Sequence, residues 1–173
     1  YPLSPRIASF PAAVARQWVA ERLTVWYATP STLVLMLTRG GLANLDLEAL
    51  RVLLFAGEVF PIKYLRDVMR LAPRARFANL YGPTETNVCT YYRVERARLE
   101  TMNALPIGRA CETMEVFALT DEGRTARAGE TGELWVRGPT VTPGYWGDAE
   151  RTARSVHHDP ETGERMYRTG DLV

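Results

Sequence analysis

Lysine is nearly missing from this chain. Lys63 is the one lysine among 21 basic residues, so positive charge is carried by arginine, whose rigid fork suits fixed ion pairs. Cysteine is scarce as well. Cys89 and Cys111 are too few for a disulfide framework or a zinc site, and free thiols fit a reducing, cytosolic setting. An excess of charge of one sign is also absent: 21 basic and 20 acidic residues leave +1, which gives no ground for a nucleic-acid or anionic-membrane partner. No apolar run reaches the ~20 residues of a membrane span, and no signal-peptide pattern is read within these residues. The two histidines, His157-His158, fall in a polar stretch that reads as a solvated turn rather than a metal site. Tyr1-Pro2-Leu3 brings no initiator methionine and Asp171-Leu172-Val173 stops in mid-pattern, so a fragment of a longer protein is expected. Apolar residues are plentiful, at 46% of 173 residues, enough for one or two domains with a core.

The first hundred residues alternate between two periods. Residues 12–22 have helical spacing through Val14, Trp18 and Val19. Leu23 to Tyr27 reads as a strand, and Pro30-Ser31-Thr32 starts a second helix closed by Gly40-Gly41. Leu45 to Leu50 reads as a helical turn and Val52 to Phe55 as a second strand. Pro61 opens a third helix to about Leu71, with Leu65, Val68 and Met69 on its apolar face. Arg76 to Leu80 is a third strand. Strands alternating with helices predict an α/β fold, a parallel sheet with helical cover, whose sites form at the carboxyl ends of the strands. Glu58 and Tyr81 sit at such ends. After about Arg98 the pattern changes. Met114–Leu119 and Gly132–Arg137 alternate strictly around the turn Asp121-Glu122-Gly123-Arg124. Short strands with frequent turns predict a small β-barrel or antiparallel sheet. The expected units are residues 1–100 and 101–173.

The most informative stretch is Asn79-Leu80-Tyr81-Gly82-Pro83-Thr84-Glu85-Thr86-Asn87. Gly82-Pro83 ends the strand and leaves two hydroxyls and one carboxylate on a loop. Hydroxyls suit phosphate or carboxylate oxygens, and Mg2+ is usually held by one or two carboxylates together with substrate phosphates. Tyr81 offers a flat face for a planar group. Four further stretches follow the same order along the chain: Phe55-Ala56-Gly57-Glu58 before this run, then Leu105-Pro106-Ile107-Gly108-Arg109, Gly132–Gly138 with Pro143-Gly144-Tyr145-Trp146, and Tyr167-Arg168-Thr169-Gly170-Asp171-Leu172.

Together these motifs resemble the adenylate-forming enzymes, which include nonribosomal peptide synthetase adenylation domains, acyl-CoA ligases and luciferases. The resemblance covers essentially the whole chain. It implies ATP and Mg2+ as cofactors, with Thr84 and Glu85 as catalytic residues and Glu85 as the metal ligand. It implies that Gly57, Glu58, Asn79, Tyr81, Gly82, Thr84 and Asp171 bind ATP or AMP. Asn79 would meet the adenine amino group, Tyr81 the base, and Asp171 the ribose hydroxyls. The implied substrate pocket is Tyr27, Leu54, Ala56, Leu80, Val88 and Cys89, an uncharged wall with one phenol. Burying an unpaired charge against such a wall costs several kcal/mol, so a compact apolar substrate is expected.

The pocket combination is similar to that of stand-alone ligases that load L-proline onto a carrier protein. The expected reading is therefore a cytoplasmic ligase of nonribosomal peptide or antibiotic biosynthesis. It would activate a small amino acid for a carrier-protein thiol, with no nucleic-acid or membrane partner. An acyl- or aryl-CoA ligase, a luciferase-like oxidase and an inactive nucleotide-binding fragment are the alternatives. The family's phosphate loop, its small C-terminal domain with a catalytic lysine, and the aspartate that grips a substrate ammonium are not in these residues. The 173 residues alone are therefore expected to be inactive. Gly132–Gly138 reads as structural, Tyr145-Trp146 as packing, and Lys63 as a surface lysine.

Overall fold

Proline sets the helix starts. Pro5, Pro11 and Pro30 each occupy the first helical turn, where a missing N–H costs nothing, and Pro61 immediately precedes a fourth helix. These helices are α1 (Pro5–Ala8), α2 (Pro11–Ala20), α3 (Pro30–Thr38) and α4 (Ile62–Leu71). Interleaved with them are β1 (Val25–Ala28), β2 (Val52–Ala56) and β3 (Arg76–Tyr81), with α5 (Arg96–Leu99) later in the chain. The structure is a computed structural model describing residues 4–173; Tyr1-Pro2-Leu3 lie outside the described residues. A turn does close within Leu45–Leu50, Leu50 N–H donating to Leu47 O at 2.9 Å, and a 3-10 helix precedes it at Leu42–Asn44, started by Gly41 at φ 67°, a conformation that glycine adopts without strain.

The chain forms two compact units. The first takes the residues up to Leu80 together with Tyr92–Ile107; the second takes Tyr81–Tyr91 and Gly108–Val173. The single boundary expected near residue 100 is thereby corrected. The segment Tyr81–Tyr91 closes on itself, Cys89 N–H donating to Tyr81 O at 2.9 Å, and sends Cys89 into the second unit's core. The chain then returns, Val94 N–H donating to Phe77 O at 2.9 Å. Composition along the sequence averages over such an excursion and shows only one change of character.

In the first unit β1, β2 and β3 run parallel, Trp26 opposite Leu53 and Leu53 opposite Phe77. Trp26, Leu53, Phe55 and Phe77 point to one face and are buried with Val14, Trp18, Leu33, Met36, Leu65 and Val68 of the helices. Trp18 stacks on Trp26 with centroids 4.5 Å apart. α4 and α5 cap each other. Arg96 donates to the carbonyls of Met69 and Ala72, both at 2.7 Å, and Arg66 donates to those of Leu99 and Glu100 at 2.8 and 2.9 Å. Each guanidinium thus meets the carbonyl end of the other helix, the favourable end for a cation.

β4 (Thr90–Arg93), paired antiparallel with β5 (Arg109–Ala110), starts in the second unit and ends in residues of the first; the second unit also holds a four-stranded antiparallel sheet. That sheet contains β6 (Glu115–Leu119), β7 (Glu133–Arg137), β8 (Val156–His158) and β9 (Arg165–Leu172) in the order β6-β7-β9-β8. An antiparallel sheet is thus the form taken, of the two the sequence allowed. α6 (Ala149–Ser155) precedes β8. His157-His158 are corrected from turn to strand: they pair with Met166 and Arg165, and the His157 ring packs 4.9 Å from that of Trp135. Among the described residues no helix is long and apolar enough to cross a membrane.

Candidate functional site

The first unit contributes one face of its sheet. Tyr27 lies opposite Leu54, and Ala56 opposite Leu80, and strand alternation puts all four on the face opposite Phe55 and Trp26. Tyr27 is 59% exposed, and Leu54, Ala56 and Leu80 are half-buried. These four expected pocket residues therefore share a continuous, uncharged surface. Gly57 ends β2 at φ 88°, a backbone conformation that favours glycine. The Glu58 side chain does work of its own: its carboxylate accepts Ser31 N–H at 3.0 Å and the Ser31 hydroxyl at 2.8 Å. It thereby joins Thr29 in capping the positive N-terminus of α3. Asn79, on the opposite face of β3 from Leu80, donates its amide to Pro106 O at 2.9 Å.

The second unit carries the loop after β3. Gly82 is there because no side chain fits: an added Cβ would lie 1.8 Å from the Asn87 carbonyl oxygen. Asn87 adopts φ 55°, and its side-chain oxygen accepts Val88 N–H at 2.7 Å, a local bond that lets asparagine hold a left-handed turn. Two bonds pin the loop from outside: Thr142 N–H donates to Glu85 O at 2.7 Å, and the Thr140 hydroxyl to Thr86 O at 2.5 Å. Thr86 is fully buried while Thr84 is exposed. Of the two hydroxyls, Thr84 is the one free to meet a ligand. Val88 is half-buried. Cys89 is corrected from pocket wall to core residue: it is 0% exposed and packs with Met114, Val136 and Val141. Burial holds its thiol above the ordinary range, so it is no nucleophile.

Both carboxylates singled out in this unit take a tyrosine hydroxyl. Tyr81 donates to Asp171 Oδ2, and burial, reinforced by that bond, pushes the Tyr81 phenol far up. Tyr145 donates to Glu85 Oε1 at 2.6 Å, and its oxygen lies 3.2 Å from the Tyr167 hydroxyl. Arg151 lies 3.9 Å from the same Glu85 oxygen and 3.8 Å above the Tyr145 ring. The bond from Tyr145, ahead of other causes, holds the Glu85 carboxyl below its usual range. Tyr145, expected to serve packing, thus also hydrogen-bonds Glu85. Its motif was visible in sequence, whereas Arg151 was signalled only by the N-cap Asp148, whose side chain accepts Arg151 N–H at 2.9 Å and starts a helix the sequence reading passed over.

Glu85 suits Mg2+ by the chemistry of its donors. The contacts of Tyr145 and Arg151 both fall on Oε1. Among the described residues no three His, Cys, Asp or Glu side chains gather to hold a metal, so a cation here would draw its other ligands from water and substrate phosphate, the usual arrangement for Mg2+.

Residues 2–146 match the profile of the family described as AMP-binding enzyme. The chain belongs to this family. It is 39% identical over 172 residues, 99% of its length, to an L-proline--[L-prolyl-carrier protein] ligase of Pseudomonas fluorescens, of which it covers 32%. It is 45% identical over 155 residues, 88% of its length, to the ligase of the same name from Streptomyces coelicolor, of which it covers 28%. Among solved structures it superposes on IdnL1 with a TM-score of 0.90 at 32% identity, covering 99% of this chain and 36% of that one. On the Vibrio cholerae adenylation domain AlmE, solved with glycyl-adenosine-5'-phosphate, the TM-score is 0.82 at 29% identity, covering 94% of this chain and 31% of that one. This AMP-binding chain therefore spans about a third of the length of the proteins it matches.

Proposed function

We propose that the full-length protein containing this chain adenylates a small apolar amino acid with ATP and passes it to the phosphopantetheine thiol of a carrier protein. L-proline is the first choice of substrate, and the setting is nonribosomal peptide or other secondary-metabolite biosynthesis in the cytoplasm. The observation that carries the reading is the pair of carboxylates, Glu85 and Asp171, each receiving a hydrogen bond on one oxygen from a phenol. Asp171 would accept ribose hydroxyls, since one carboxylate satisfies two donors. Tyr81 would pack on adenine, with Gly57, Glu58 and Asn79 around the base. Gly82 lets the loop close tightly enough for Thr84 to reach the substrate carboxylate or α-phosphate. Glu85 would hold Mg2+, which offsets the negative charge that builds on the phosphate oxygens. The residues contribute alignment and charge stabilisation rather than covalent chemistry as the substrate carboxylate attacks the α-phosphorus and pyrophosphate leaves.

The substrate choice rests on Tyr27, Leu54, Ala56 and Leu80, which share one uncharged sheet face, with Val88 as a further candidate. The curated relatives at 39% and 45% identity carry L-proline in their names. A relative from Bacillus velezensis, 32% identical over 93% of this chain, is named a D-alanine--D-alanyl carrier protein ligase, so another small amino acid is the second choice. Such a wall discriminates by only about 1–3 kcal/mol per methylene. The test is pyrophosphate exchange by the full-length protein across a panel of amino and aryl acids, followed by transfer to a carrier protein or to coenzyme A. Highest turnover with proline and transfer to the carrier alone is the expected result. Highest turnover with an aryl or charged acid would sink the pocket reading, and efficient transfer to coenzyme A would sink the choice of acceptor.

A further inference from the structure

Glu85 is held by three side chains that lie outside its own loop, Tyr145, Tyr167 and Arg151. Tyr145 donates to Oε1 at 2.6 Å. Its oxygen also lies 3.2 Å from the hydroxyl of Tyr167, which is itself a partner of Glu85. The Tyr145 phenol is therefore held from both sides. Its backbone is fixed too, Tyr145 N–H donating to the Thr152 hydroxyl at 2.9 Å, one residue along α6 from Arg151. The Arg151 guanidinium covers the Tyr145 ring at 3.8 Å and faces the same carboxylate oxygen at 3.9 Å, with its side chain 54% exposed.

Resting on the reading of Glu85 as the metal-binding carboxylate, we propose that Tyr145 is the positioning residue that presents the Glu85 carboxylate to Mg2+, and that Arg151 is the counter-cation that occupies the carboxylate before the metal arrives. The two side chains suit these different tasks. A neutral phenol donates one proton and aims the carboxylate without competing for its charge. A guanidinium at 3.9 Å is an ion pair without a direct hydrogen bond, and a half-exposed arginine can swing into solvent when a divalent cation binds. Partners that orient a metal ligand commonly change affinity about 10–100-fold when removed.

The test uses Mn2+ as probe with the full-length protein, titrated by electron paramagnetic resonance with and without a non-hydrolysable ATP analogue. Tyr145→Phe keeps the ring under Arg151 and should weaken Mn2+ binding about tenfold. It should raise the Mg2+ concentration needed for pyrophosphate exchange by the same factor, with kcat recovering at saturating Mg2+. Arg151→Met should tighten Mn2+ binding severalfold in the nucleotide-free protein. Trp146→Ala, at a fully exposed neighbour, should change neither. Unaltered Mn2+ affinity in both Tyr145→Phe and Arg151→Met overturns the proposal, as does a fall in kcat for Tyr145→Phe that Mg2+ does not restore. If Tyr145→Phe fails to fold, Arg151→Met decides alone. If the wild-type protein exchanges pyrophosphate with no amino acid, the adenylation reading fails, while the Mn2+ titration still decides the roles of Tyr145 and Arg151.

Discussion

Gly82→Ala is the most exacting perturbation of the loop that carries Glu85. The new Cβ would sit 1.8 Å from Asn87 O, 2.7 Å from Asn87 C and 2.9 Å from Cys89 N, all backbone atoms that no rotamer change can move. An ordinary carbon–oxygen contact needs roughly 3.3 Å or more, so the two arms of the loop must part by about 1.5 Å. Parting them breaks the bond from Cys89 N–H to Tyr81 O (2.9 Å) and the bond from the Thr86 hydroxyl to Asn87 O (2.9 Å). Each loss costs about 1 kcal/mol, and the residual overpacking adds about 1–3 kcal/mol, for a total of ~3–5 kcal/mol. At roughly 2–4 °C per kcal/mol for a domain of this size the melting temperature should fall by ~6–20 °C. Activity should fall further than stability, because displacing a positioned group by about 1 Å can cost ~100-fold in rate. Thermal melting of the full-length protein and amino-acid-dependent pyrophosphate exchange below the melting point measure the two effects. A variant that melts within a degree of the parent and exchanges within threefold of it would refute the claim that this glycine is sterically required.

Glu85→Gln keeps the shape of the side chain but loses the charge that Mg2+ requires; exchange should be abolished with the melting temperature nearly unchanged, and exchange within a few-fold of the parent would count against the metal assignment. Arg96→Met removes the donor to Met69, Ala72 and Ala75 carbonyls at 2.7, 2.7 and 3.3 Å, leaving orphaned acceptors at the end of α4, and should cost roughly 2–3 kcal/mol in chemical denaturation; a loss below half a kcal/mol would contradict the capping account. Asp159 is held below the ordinary carboxylate range by the N–H groups of Thr162 and Glu161 and, secondarily, by Arg137. A depressed carboxyl stabilises the fold above its unfolded pKa and loses that contribution as pH falls through its folded value. Asp159→Asn should therefore melt below the parent at pH 7, with the gap closing as pH drops under about 4. A gap independent of pH would show that the bonds of Asp159 are not charge-assisted.

The parallel sheet was legible because its signal is local. Val52–Phe55 and Arg76–Leu80 are uninterrupted apolar or alternating runs between glycines and prolines, and their observed limits differ by a residue. The 3-10 helix at Leu42–Asn44 is not legible in the apolar pattern, because its start lies in the positive φ of Gly41. α6 and β8 were missed because neither has a clean apolar period: α6 has no buried residue, and β8 is three residues long. The site divided in the same way. Tyr81, Glu85 and Asp171 were named from their own motifs. That Tyr81 bonds Asp171 ninety positions away, and Tyr145 bonds Glu85 sixty positions away, is long-range information that composition and periodicity do not contain. Cys89 was misjudged for a related reason, since a residue beside a site in sequence alternates away from it on the next peptide.

The use of phenols on both carboxylates has a physical logic. A carboxylate meant to receive a cation or a sugar hydroxyl must stay charged, must keep its direction and must not be tied across both oxygens beforehand. An arginine fork across both oxygens would meet the second need and defeat the third, since bidentate pairs are among the strongest charge-assisted bonds. Leaving the group free would meet the third and defeat the second. A tyrosine hydroxyl donates one hydrogen bond to one oxygen and carries no charge at neutral pH. The depressed Glu85 pKa shows the charge retained. Burial pushes the Tyr81 phenol up, so its bond to Asp171 does not become a repulsion between two anions. The contrast within the same unit is Arg137, which pairs with Glu115 and Asp159 and leaves them no comparable freedom. Glu115 and Asp159 are thus tied directly by arginine, whereas Asp171 is held by a tyrosine and Glu85 by a tyrosine with Arg151 standing off at 3.9 Å.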